Sequence, residues 1–99
     1  MSRGRIEEIA AAIQTGDAAG AREVVRTLAP AAIRRIARRM LSDAAFRARV
    51  QMLIDHYRAV VADAKARDRQ GYEAAAVLAT KPGRAYLLLD AAAAGQGVG

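Results

Sequence analysis

Apolar residues recur three and four positions apart along nearly the whole chain, and nowhere do they alternate with polar residues for five positions with β-branched support. Steps of three and four put side chains on one face of an α-helix, whereas a half-buried strand needs a period of two. The chain is therefore predicted to be all-α: a single domain over residues 1–99, built as a small bundle of five or six helices with one long central helix at about 44–70, and with flexible residues at 1–4 and 95–99.

The helices can be placed from their stripes and breakers. Ile6, Ile9, Ala10 and Ile13 fall at i, i+3, i+4 and i+7, and Glu7 and Glu8 are read into the first turn, where acids suit the positive end of the helix dipole. Gly16 ends this segment, and Asp17 offers an N-cap oxygen to a second helix with Ala21, Val24, Val25 and Leu28 inside. Pro30 breaks that helix and suits the first turn of a third, whose inner stripe is Ile33, Ile36, Ala37, Met40 and Leu41. Ser42 and Asp43 are cap candidates for the long helix. There, Phe46, Val50, Leu53, Tyr57, Val60 and Ala64 alternate steps of four and three, a heptad seam widened by Ile54 and Val61. Val50, Leu53, Tyr57 and Val60 are expected to be buried together. From 44 to 70 such a helix is about 40 Å long at 1.5 Å per residue.

Gly71 stops it, Tyr72 to Ala79 forms a short helix, and Thr80-Lys81-Pro82-Gly83 reads as a turn. The last helix, Arg84 to Ala94, is apolar nearly all round and should be buried. Alanine supplies 26 residues, about half of the 54% that are hydrophobic, so the interior is thin, and no cysteine is present to staple it. An interior so thin is not expected to hide all of Tyr86, Leu87, Leu88 and Leu89. A homodimer closed by two-fold symmetry over these four residues is the expectation.

Charge is distributed unevenly. Residues 22–49 carry eight arginines against Glu23 and Asp43, and hold the whole of the +6 net charge, while the rest of the chain is close to neutral. At about 100° per residue, Arg34, Arg35, Arg38 and Arg39 all lie opposite the Ile33, Ile36 and Met40 stripe. Arg22, Arg26, Arg47 and Arg49 can extend the field. This face points to an anionic partner. Base reading is disfavoured, since the chain has no Asn, four Gln and few Ser or Thr; stacking on single strands is disfavoured too, with one Phe and three Tyr. The expectation is a small non-enzymatic interaction or adaptor module that self-associates and offers its arginine face to an acidic partner. The alternative is a sequence-nonspecific nucleic-acid-binding protein using the same face.

Catalysis finds little support. One histidine and no cysteine cannot supply a Cys/His metal site, and neither a metal nor another cofactor is expected. His56 falls on the flank of the long helix, and Ser2, Ser42 and the threonines have no base placed beside them by sequence. Asp55–Arg58, Asp63–Arg67 and Lys65–Asp68 read as surface pairs. Gly16-Asp17-Ala18-Ala19-Gly20 lacks the Gly-Lys-Ser/Thr of a phosphate loop. Thr80-Lys81-Pro82-Gly83-Arg84 joins two cations to a helix start, a generic anion site, but a structural turn is the preferred reading. No signal-peptide core or bilayer span is legible, so a cytoplasmic location is expected.

Overall fold

Six helices, separated by breaks of one to four residues, make up a computed structural model that describes residues 1–96: α1 (Arg3–Gln14), α2 (Ala18–Leu28), α3 (Pro30–Ser42), α4 (Ala44–Arg67), α5 (Tyr72–Ala79) and α6 (Lys81–Gln96). No strand occurs among the described residues. Residues 97–99 of the expected loose tail lie outside them, and Gly95 and Gln96 belong to α6.

Short polar side chains set the boundaries. Ser2 Oγ accepts from the Arg5 N–H at 3.3 Å, so α1 begins at Arg3. Glu7 and Glu8 consequently sit beyond the first turn, and pair with Arg3 at 3.6 Å and Arg5 at 2.9 Å instead of serving the helix terminus. Gly16, at φ 83°, makes the left-handed step out of α1, and Asp17 Oδ1 caps α2 through the Gly20 N–H at 2.8 Å. Pro30 opens α3 where no N–H is needed. Of the two cap candidates, Asp43 caps α4, accepting from the Phe46 N–H at 2.9 Å, while the Ser42 hydroxyl turns back to the Arg38 and Arg39 carbonyls. The Phe46 N–H, aided by Arg39 and Arg49, holds the Asp43 carboxyl below the usual carboxylate range.

The long helix ends at Arg67, short of 70, because Asp68 accepts from the Glu73 N–H at 2.9 Å and the Gln70 N–H at 3.0 Å and starts the next turn. These bonds, Glu73 first, keep the Asp68 carboxyl low. The last helix starts three residues earlier than its apolar run. Thr80 Oγ1 accepts from the Gly83 N–H at 3.1 Å, and Pro82 is accommodated in the first turn, so Lys81 to Gly83 is helix and not turn.

At the centre lies α6, packed against α2, α3, α4 and α5; α1 rests on α2 and α5. Ile6, Ile9, Val25, Ile54 and Leu78 are the largest side chains fully buried, and Tyr86, Leu87, Ala91 and Ala92 bring α6 into the same core. With 24 residues, α4 is about 36 Å long, close to the molecule's greatest extent of 40 Å.

The buried face of α4 is turned from the heptad seam. Val50, Ile54, Val61 and Ala64 are buried, whereas Leu53, Tyr57 and Val60 are half-buried. A 3.5-residue seam suits two helices coiled about each other, but a straight helix drifts ~20° per heptad from it. Because α4 packs on α3, α5 and α6 together, its face follows the 3.6-residue period. In α3 the inner stripe ends at Met40: Leu41, one residue and 100° further on, is 74% exposed.

Candidate functional site

On the outer surface of α3, Arg34 with Arg38 and Arg35 with Arg39 form two i, i+4 rows, each about 6 Å along the axis. All four residues are exposed. Arg34, Arg35 and Arg38 make no ion pair among the described residues. Arg39 is held at one edge, 3.7 Å from Asp43 and with its guanidinium carbon 4.1 Å over the Phe46 ring. Leu41 emerges on the same arc one turn beyond Arg38, so the ladder carries an apolar tip that the sequence pattern had assigned to the interior.

The wider arginine field is dispersed by hydrogen bonds and ion pairs. Arg47 donates to the Met40 carbonyl at 2.7 Å, satisfying the end of α3, and Arg26 lies 3.5 Å from Glu23. Arg22 turns inward to Asp90 at 2.9 Å. Arg47 and Arg49 are the exposed members of the four and make no ion pair among the described residues, and of these two only Arg47 is tied down by a hydrogen bond.

Asp90 is the group that sequence reasoning passed over. Its carboxylate, 11% exposed, accepts from Arg22 Nε at 2.9 Å and from Arg58 Nη2 at 3.0 Å, joining α6 to both α2 and α4. A lone acid in an otherwise apolar helix was the available signal, since a buried carboxylate must find cations. That demand redirects one of the expected surface pairs, and the other two are also not formed. Arg58 reaches Asp90 instead of Asp55, Arg67 crosses to Glu73 on α5 at 2.6 Å, and Lys65 is left without an ion pair among the described residues. Asp90 and the Tyr86 hydroxyl both raise the Arg58 pKa, Asp90 foremost; burial pushes the Tyr86 phenol up.

Of the apolar run on α6, Tyr86 and Leu87 are buried and Leu88 and Leu89 half-buried, all within one chain. Tyr86 stacks on Tyr57 with centroids 5.7 Å apart. His56 is exposed on α4, its ring edge-on to Tyr57 at 5.3 Å. Among the described residues no three His, Cys, Asp or Glu side chains converge as metal ligands, and no helix is long and apolar enough to cross a membrane.

No family model, curated protein or solved structure matches the chain. What it can bind follows from the side chains themselves: the exposed arginines of α3, and the group of Arg22, Arg58 and Lys65 gathered near Asp90.

Proposed function

We propose that the protein is a small non-enzymatic interaction module, acting in the cytoplasm, which presents Arg34, Arg35, Arg38 and Arg39 to an acidic protein partner. The observation that carries this is the set of three exposed guanidiniums without acidic neighbours on a helix whose opposite side alone serves the core. Leu41 favours a protein surface over a phosphate backbone, because an exposed leucine beside arginines fits an acidic helix with an apolar stripe and gains nothing from phosphates. Sequence-nonspecific nucleic-acid binding through the same ladder is the second reading, supported by the density of cations alone.

Two probes separate these: a Glu/Leu-rich amphipathic peptide and a random-sequence DNA duplex, each titrated at several salt concentrations. The fourfold Arg→Gln variant should keep its melting temperature within a few degrees and lose at least about tenfold in peptide affinity, most at low salt where screening is weakest. Duplex binding should be weaker at physiological salt. If the duplex binds more tightly, with a log–log salt slope near −3.6 for about four phosphates, nucleic acid replaces protein as the partner. A fourfold variant that unfolds, or binds the peptide as well as wild type, shows the ladder has another role.

Self-association belongs to the same proposal, as a two-fold dimer over Leu88 and Leu89, the part of the Tyr86, Leu87, Leu88 and Leu89 run that one chain does not fully cover. Light scattering coupled to size exclusion should give twice the 10.5 kDa chain mass, and Leu88→Glu should return the monomer with its helical circular dichroism retained. A wild-type mass of 10.5 kDa across the accessible concentrations rejects the dimer.

A further inference from the structure

The helices α2 and α4 scarcely touch each other, while each packs on α6, and a cleft of about 300 Å³ opens between them with α6 as its floor. Its walls follow from helical spacing. Ala18, Ala21 and Val25 line it from α2, and Val61 and Ala62 from α4. The alanines leave the room; larger side chains at those positions would close it. The same two stripes carry Arg22, Arg58 and Lys65 into the cleft, and the floor supplies one carboxylate, Asp90. Three cations against one acid leave an excess of two positive charges in an otherwise apolar trough.

We propose that this cleft binds a small amphipathic carboxylate, with a medium-length acyl chain along the alanine and valine walls and the head group on Arg22, Arg58 and Lys65. The guanidiniums are placed for it. Each gives one nitrogen to Asp90, Nε from Arg22 and Nη2 from Arg58, and both side chains line the cleft while staying partly exposed, Arg22 at 28% and Arg58 at 57%. Asp90 fixes both side chains before any ligand arrives, so little further ordering is needed on binding. The planar guanidinium fork suits a carboxylate, and Lys65, half-buried and without an ion pair among the described residues, adds a third donor. The volume is at the small end of ligand pockets and, taking the about 30 Å³ that a water occupies in the liquid for each heavy atom, matches a ligand of roughly ten such atoms. An eight-carbon carboxylate has that size. The proposal uses none of the α3 ladder and stands independently of the partner assigned to it.

Octanoate and 1-octanol, titrated into the whole protein and followed by methyl NMR, make the test. Octanoate should give saturable shifts centred on Val25, Val61 and Leu87, and bind at least about tenfold more tightly than the alcohol, whose neutral head forgoes the charge-assisted bonds. Lys65→Gln, which breaks no bond in the fold, should weaken octanoate and leave octanol unchanged. Ala62→Phe should fill the cleft from its exposed wall and abolish both. Absence of saturable shifts up to about 10 mM, where even a millimolar Kd would show, overturns the proposal. Equal affinity for acid and alcohol, or binding that survives Ala62→Phe, overturns it as well.

Discussion

Ile54→Ala should lower the unfolding free energy by about 2–5 kcal/mol, the range for removing a fully buried branched side chain and leaving a cavity. Ile54 is 1% exposed and sits where α4 joins the common core. Against the ~5–15 kcal/mol that holds a typical domain, such a loss would shift the urea midpoint far to the left. Leu53→Ala provides the internal comparison. Under a heptad seam Leu53 would be the costlier site, but it is only half-buried here, and its replacement should cost clearly less than that of Ile54. Urea denaturation of the two variants therefore reads the rotation of α4 directly. Equal or inverted losses would place the seam back on Leu53, Tyr57 and Val60.

The second large effect is expected at Gly83. It is buried in the first turn of α6, and an added Cβ would run into the Val77 carbonyl oxygen and stand 2.9 Å from the Leu78 Cα. Both obstacles are backbone, so relief requires α5 and α6 to separate at their junction. Gly83→Ala should cost about 1–3 kcal/mol or more through overpacking, even though alanine is the better helix former. Gly4→Ala, inside α1 with nothing within 4 Å of the new methyl, should instead stabilise by roughly 0.5–1 kcal/mol. Thermal melts of the pair separate helix propensity from close approach: a Gly83→Ala variant stabilised like Gly4→Ala would show that no close approach of α5 constrains position 83.

Most of the architecture was legible because it depends on local periodicity and caps. The six helices, Asp17 and Asp43 as caps, Pro30 at a helix start and the burial of the C-terminal helix all follow from spacing and from the hydrogen-bond needs of helix ends. What spacing cannot carry is the identity of the neighbours. The difference between a 3.5- and a 3.6-residue stripe on α4 depends on how many helices it meets, and Leu41 lies outside because nothing covers the last turn of α3 on that side. For the charged residues, four of the eight basic side chains of the 22–49 segment could be read to their surface, since α3 alone determines where they point. Arg22 and Arg58 could not, because the carboxylate that claims them is 68 and 32 residues further along the chain. The cleft they line belongs to that pairing and was invisible without it.

The position of α6 also bears on how the protein comes into being. Residues 81–96 are made after α1 to α5, yet α2, α3, α4 and α5 all rest on them. While the nascent chain is still short of Lys81, the apolar faces of Val25, Ile54 and Leu78 lack the surface that covers them, and Arg22 and Arg58 lack their common carboxylate. Early local pairs such as α1 with α2 can form as they leave the ribosome, but completion of the fold must await synthesis of α6.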